Sequence, residues 1–199
     1  MTFQDALKKL KSTSPLRITI SGDIGSGKST FAKQLAQELD LPRIYIGQFM
    51  REEAAKRGLT LDEFSKLQES DDTIDKYMDS LQHEKSKELE RGIFEGRVAW
   101  HFAIDPKIKI FLGVDPQAAA TRIWNDKNDQ RDKYSSIDEL AQANITRRES
   151  EEKRYSNYYG ISAYSPENFN IIIDTSGLSI KQVFEKTVRE IADFLTKNQ

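Results

Sequence analysis

Apolar residues along this chain follow two alternating rhythms. Short aliphatic and β-branched runs occur at Arg17 to Ser21, Ile44 to Ile46, Ile93 to Phe94, Ile108 to Leu112 and Ile171 to Ile173. None alternates cleanly with polar residues, the pattern of strands covered on both faces. Between the runs, apolar positions return every three or four residues, as on one face of a helix. Phe31, Leu35 and Leu39 form one such stripe; Ile74, Tyr77, Leu81 and Leu89 form another across Thr73 to Arg91. A last stripe carries Ile180, Val183, Phe184, Val188, Ile191 and Phe194. Phe3, Leu7 and Leu10 predict a short N-terminal helix that Ser12 to Pro15 ends. Strands alternating with helices predict an α/β domain with a five-stranded parallel sheet, right-handed crossovers and covering helices.

Two connections are too long for simple crossovers. Residues 48–92 carry three helix-like pieces between the second and third runs, and residues 122–164 form a polar, arginine-rich stretch between the fourth and fifth. Long excursions from a compact sheet are usually functional covers or binding arms. The chain reads as one domain, residues 1–199, bearing two inserted arms.

Charge composition sharpens this division. Of the 199 residues, 31% are charged, yet the formal net charge is only −2. Residues 48–92 hold 20 charged residues in 45, and residues 122–154 hold 16 in 33, against ordinary usage of about 25%. The core is therefore of ordinary polarity, and the arms carry paired signs. A near-neutral balance leaves no global field to hold nucleic acid or an anionic membrane. No apolar run approaches the roughly 20 residues that cross a bilayer, and the first residues lack the apolar stretch of a secretion signal. Cysteine is absent, which removes thiol chemistry and agrees with a reducing compartment. The expectation is a cytoplasmic monomer whose partners are small molecules, with no nucleic acid and no membrane.

The strongest chemical signal is Gly22-Asp23-Ile24-Gly25-Ser26-Gly27-Lys28-Ser29, which satisfies G-x-x-x-x-G-K-S/T between a predicted strand and a predicted helix. Its glycines permit torsions that aim backbone N–H groups at one point, and the following helix adds its positive end. Gly22, Gly25, Ser26, Gly27, Lys28, Ser29 and Thr30 are the expected ATP-binding residues. Lys28 is expected to reach the β- and γ-phosphates, and Ser29 to ligate Mg²⁺. The predicted fold is thereby a P-loop NTPase. GTPases, ATPases and small-molecule kinases share this loop. The absence of N-K-x-D counts against a guanine-reading switch, and two arginine-bearing arms suit a kinase that encloses an acceptor.

Further along lie Gly47-Gln48-Phe49-Met50-Arg51-Glu52, Phe94-Glu95-Gly96-Arg97, and Arg147-Arg148-Glu149-Ser150-Glu151-Glu152-Lys153-Arg154-Tyr155, followed by Ile171 to Thr175. With the phosphate loop, this ordered set resembles cytidylate kinases, particularly the short archaeal-type branch, over about Arg17 to Leu195. The resemblance implies transfer of the γ-phosphoryl group of ATP to CMP or dCMP, with residues 48–92 as acceptor-binding arm and 122–164 as lid. It implies that Arg51 and Arg97 grip the acceptor phosphate, for which a guanidinium fork is suited. It also implies that Arg147, Arg154 and, at the start of the lid, Arg122 neutralise the phosphoryl group in flight, while Glu151 orients a guanidinium or contacts the acceptor. Arg147, Glu151 and Arg154 fall at i, i+4 and i+7, along one helix face; the same face also suits a solvated helix with an i,i+4 ion pair. Glu95 is expected either to support Mg²⁺ through water or to hydrogen-bond the arginines. Gln48 stands where the family commonly has aspartate, and Asp126 and Lys127 stand where it has a second arginine. Two other readings remain open from the residues: a kinase for another monophosphate or a small hydroxyl acceptor, and a catalytically weak ATP-binding regulatory module.

Overall fold

The computed structural model describes residues 1–126 and 134–198; Lys127 and the rest of 127–133 lie outside the described residues. Five parallel strands pair in the order β2-β3-β1-β4-β5, with β1 at Leu16–Gly22, β2 at Arg43–Tyr45, β3 at Arg91–Glu95, β4 at Ile108–Gly113 and β5 at Ile171–Asp174. All five overlap the apolar runs. Ile18 pairs with Ile93 on one side and Ile108 on the other, and all three are fully excluded from solvent. The chain leaves β1 toward β2 and β3, then crosses to β4 and β5 on the opposite side. That reversal lies beside the carboxyl end of β1, where ligands gather in open parallel sheets.

Helix α1 (Phe3–Ser12) starts at Thr2, whose Oγ1 accepts from Asp5 N at 3.2 Å. It buries Ala6, Leu7 and Leu10 with the final helix, α9 (Ile180–Lys197), in the main core cluster. Helix α2 (Lys28–Leu39) follows the phosphate loop and buries Phe31, Ala32, Leu35 and Leu39 in the same cluster. A fully buried aliphatic side chain contributes about 1.5–3 kcal/mol of transfer free energy, so this cluster anchors the platform on which the loop stands.

The periodicity misplaces three details. Ile46 opens a helix and is not the end of β2. Strand β5 lies at the sheet edge and is covered on one face only: Ile171 and Ile173 are buried, whereas Ile172 is 52% exposed. Along the helix predicted at Thr73 to Arg91, Tyr77 is 64% exposed. The buried side of that helix, α5 (Asp72–Glu88), instead carries Asp75, Asp79, Gln82 and Ser86 beside Ile74 and Met78. A hydrophobic stripe was the wrong signal there because the helix faces other polar groups and a cleft.

The first long connection forms α3 (Ile46–Lys56), α4 (Leu61–Ser70) and α5, three helices as predicted. Helix α4 begins with a capping box in which Thr60 Oγ1 accepts from Glu63 N and Glu63 Oε2 accepts from Thr60 N. The second connection follows a four-residue helix, α6 (Ala99–Phe102), β4 and α7 (Pro116–Trp124), and its main element is α8 (Ile137–Tyr159). Helix α8 ends at Gly160, where φ is +67° and a side chain would be strained. The two arms are joined: Ser150 Oγ donates to Glu69 Oε1 at 2.6 Å, Tyr158 OH to the Gln68 carbonyl at 2.6 Å, and Tyr159 OH to Asp79 Oδ2 at 2.8 Å. Among the described residues no helix is long and apolar enough to cross a membrane.

Candidate active site

The loop after β1 is shaped by glycines at positive φ. Gly22 (φ +152°), Gly25 (+79°) and Gly27 (+84°) turn the chain tightly into α2. At Gly22 a Cβ would sit 2.3 Å from the Leu112 carbonyl oxygen, so β1 and β4 approach too closely for any side chain. Gly22→Ala is therefore expected to cost more than about 2 kcal/mol of stability, combining backbone strain with steric displacement. A urea midpoint equal to wild type would contradict this.

The loop opens onto a cleft of about 220 Å³ bounded by α3, α5, the end of β3 and α8. Gly25, Gly27, Lys28, Ser29 and Thr30 line it. Gly22 and Ser26 do not; they shape the loop from beneath. The Gly22 carbonyl accepts from Arg97 Nη1 at 2.9 Å, and the Ser26 carbonyl accepts from Thr175 Oγ1 at 3.2 Å. Lys28 Nζ donates to the Asp23 carbonyl at 3.2 Å. Desolvation in the cleft, with Arg97 adding repulsion, pushes its ammonium down to about 7. A phosphate group placed here would supply the counter-charge that the ammonium lacks.

Ser29 Oγ donates to Glu95 Oε1 at 2.5 Å and lies 3.0 Å from Tyr45 OH. Glu95, fully buried at the end of β3, accepts from Arg43 Nε at 2.9 Å, and the Arg43 guanidinium stacks over Tyr45 at 4.2 Å. Glu95 thus bonds an arginine, but Arg43 and not one of the cleft arginines. Hydroxyl and carboxylate oxygens at the cleft floor suit a hard cation. Among the described residues there is no group of three or more His, Cys, Asp or Glu side chains arranged to hold a metal unaided. The residues therefore fit Mg²⁺ shared with nucleotide phosphates and water, the usual arrangement for this ion.

Arg51, Arg97, Arg147 and Glu151 converge on the same cleft. Arg51 Nη1 donates to Tyr45 OH at 2.5 Å and to the Gly47 carbonyl at 3.1 Å. Arg97 Nε donates to Glu151 Oε2 at 2.6 Å, and Arg147 Nε approaches Glu151 Oε1 at 3.4 Å. Tyr164 OH donates to the same carboxylate. Burial alone would raise the Glu151 pKa, but Arg97 and Arg147 outweigh it and hold the carboxyl down at about 2. Glu151 is thus an ionised brace between two guanidinium groups that line the cleft, and the Gly22 carbonyl fixes Arg97 from the other side.

Two predicted arginines are not brought to the cleft. Arg154 is 2% exposed; its Nε donates to Asp75 Oδ2 at 3.0 Å and its Nη1 to Ser65 Oγ at 3.0 Å. At i+7 from Arg147 it lies along the same side of α8, but the packed helices α4 and α5 draw its long side chain into their own interface. Arg122 instead holds the turn after β5, donating to Thr175 Oγ1 at 3.1 Å and to the Ser176 carbonyl at 3.1 Å. Gln48 is exposed and donates to Glu52 Oε1 at 2.8 Å along α3, away from the cleft. The residues that sequence reasoning missed are Tyr45 and Arg43, which position Ser29, Glu95 and Arg51, and the polar face of α5. Only the alternation of polar residues at Asp75, Asp79, Gln82 and Ser86 along one helix side was visible beforehand.

A phosphate loop at the switch point of a parallel sheet, facing an arginine-lined cleft between two helical arms, defines a P-loop phosphotransferase. Solved kinases share the fold: a shikimate kinase from Bacteroides thetaiotaomicron superposes with a TM-score of 0.59 at 20% identity, covering 91% of this chain and 98% of that one. A deoxyadenosine kinase from M. mycoides gives 0.52 at 18%, covering 88% and 98%. The model of the cytidylate kinase-like family matches residues 17–177, and the chain belongs to that family. It is 31% identical over 176 residues to a cytidylate kinase of Archaeoglobus fulgidus, covering 88% of this chain and 94% of the relative. It is 38% identical over 158 residues to one of Methanothrix thermoacetophila, covering 79% and 87%.

Proposed function

We propose that this protein transfers the γ-phosphoryl group of ATP to CMP or dCMP, giving ADP and CDP or dCDP. The observation that carries the reading is the junction of two phosphate-binding devices in one cleft: the loop bearing Lys28, and the trio Arg51, Arg97 and Arg147 across from it. A hydrolase has no need of the second device, whereas an anionic acceptor does. Membership of the cytidylate kinase-like family supports the choice of acceptor.

The acceptor is a phosphate oxygen, already anionic, so no activated nucleophile and no strong general base is required. Arg51 and Arg97 bind and orient it, and Glu151 holds Arg97 and Arg147 in position. Lys28 and the loop N–H groups bind the ATP phosphates and stabilise charge that spreads over the transferring group. Ser29, with Glu95 behind it, would hold Mg²⁺, which supplies charge neutralisation on the phosphates. The two arms, joined through Ser150, Tyr158 and Tyr159, wall the cleft, and water kept out of it when both substrates are bound would disfavour hydrolysis of ATP.

A coupled assay of ADP formation against CMP, dCMP, UMP, AMP and no acceptor tests this. The expected order is CMP and dCMP well ahead of UMP and AMP, with little turnover in the blank. Acceptor-independent turnover, or a preference for another monophosphate, overturns the reading.

A further inference from the structure

Two polar side chains of α5 line the acceptor side of the cleft and take no part in gripping phosphate: Asp79 and Gln82. They are spaced i and i+3, so they project from one helix face as neighbours. Both are almost fully buried, at 4% and 1% exposure. Gln82 Nε2 has no hydrogen-bond partner among the described residues. A Cβ at Gly96 would lie 3.4 Å from that Nε2, which places the amide against the glycine immediately before Arg97. An unpartnered buried amide donor has lost its water without gaining a partner, so such a group in a binding cleft calls for an acceptor.

Asp79 has the opposite character. Its one hydrogen bond among the described residues comes from Tyr159 OH to Oδ2 at 2.8 Å, and the nearby Arg154 is committed to Asp75. Burial pushes the Asp79 carboxyl up to about 7 despite that hydrogen bond, with Asp75 adding repulsion. A further donor facing the carboxylate would relieve this. Around the pair, Ile46, Met50, Leu61 and Tyr155 give the cleft an apolar lining, suited to the faces of a planar ring.

Once a donor from a ligand favours its ionised form, Asp79 is an acceptor beside an unpartnered N–H donor, the complement of a base edge that presents an amino group next to a bare ring nitrogen or carbonyl. Cytosine has that edge; uracil presents a carbonyl and an N–H in the corresponding places and opposes both groups. We propose that Asp79 and Gln82 read the acceptor's base, Asp79 accepting from the exocyclic amino group of cytosine and Gln82 Nε2 donating to the ring nitrogen or carbonyl beside it. This inference rests on the cytidylate reading above.

The test is kcat/KM for CMP and UMP, with ATP KM and a thermal melt, in wild type, Asp79→Asn and Gln82→Leu. Asparagine presents an N–H to the O4 of uracil, so the CMP-to-UMP ratio is expected to fall at least about tenfold in Asp79→Asn, with ATP KM unchanged. Gln82→Leu keeps the bulk and removes the donor; KM for CMP is expected to rise about tenfold while kcat holds. Folded variants that keep the wild-type ratio, or that lose CMP and UMP activity equally, overturn the proposal while leaving the cytidylate reading intact. A wild-type enzyme with no preference for CMP over UMP and AMP defeats the cytidylate reading and this proposal together. Should Asp79→Asn fail to fold, the ratio in Gln82→Leu decides.

Discussion

Replacing Lys28 with methionine is expected to lower kcat by about 10²–10³-fold while ATP affinity changes by less than about tenfold. Methionine preserves much of the side-chain length and removes the charge. In the ground state the ATP phosphates remain held by the loop N–H groups and the start of α2, which do not depend on the lysine. In the transition state charge spreads over the transferring group, and a desolvated cation matters most there. The present surroundings support this division. Lys28 has the Asp23 carbonyl as its hydrogen-bond partner, and desolvation with Arg97 repulsion already disfavours its charge. Such a group gains most from an incoming trianionic partner. Single-turnover rates and direct ATP titration separate the two quantities; equal losses in both would falsify the assignment of Lys28 to the chemical step.

Arg154→Ala is expected to act mainly on stability, lowering it by about 3–5 kcal/mol because Asp75 is left buried and charged without its partner. For a chain of this size that corresponds to roughly 10 °C in Tm. The guanidinium joins α8 to α4 and α5 through Asp75 and Ser65, while burial opposes its charge and Asp75 outweighs that opposition, so its pKa is raised. Arg154→Met combined with Asp75→Leu is expected to regain most of the loss, since an apolar pair of similar volume often matches a buried ion pair. Thermal and urea denaturation of the two variants, with turnover per folded molecule, check this. A folded Arg154→Ala protein with wild-type Tm and turnover lowered a hundredfold would return the residue to the chemical machinery, where family resemblance puts it.

The difference between Arg154 and Arg147 shows where reading the sequence stops. Both belong to one signature, on one side of one helix, and nothing in their spacing separates them. The arm packed against α8 decides: Asp75, on the helix where periodicity marks its neighbour Ile74 instead, takes Arg154, while Glu151 braces Arg147 at the cleft. Arg122 likewise shares its residue type with the phosphate-gripping arginines, yet the turn at Thr175 and Ser176 offers it carbonyls and claims it. By contrast, Arg97 follows an apolar strand by two residues, and a strand end in a parallel sheet has one address.

Family resemblance, and no local rule, pointed to Arg51. The sequence by itself determined the five strands, the phosphate loop, the three helices of the first arm and the placing of Lys28, Ser29 and Arg97 at the carboxyl edge of the sheet. Those features rest on local rules: apolar runs make buried strands, glycine admits positive φ, and a motif between strand and helix lies at the carboxyl edge. Tertiary structure alone decided which charges pair inside the protein and which face the cleft, because a buried charge takes whichever partner packing brings within about 3 Å, however far away in the chain. It likewise turned Asp79 and Gln82, unremarkable in a polar helix, into buried groups that await a ligand.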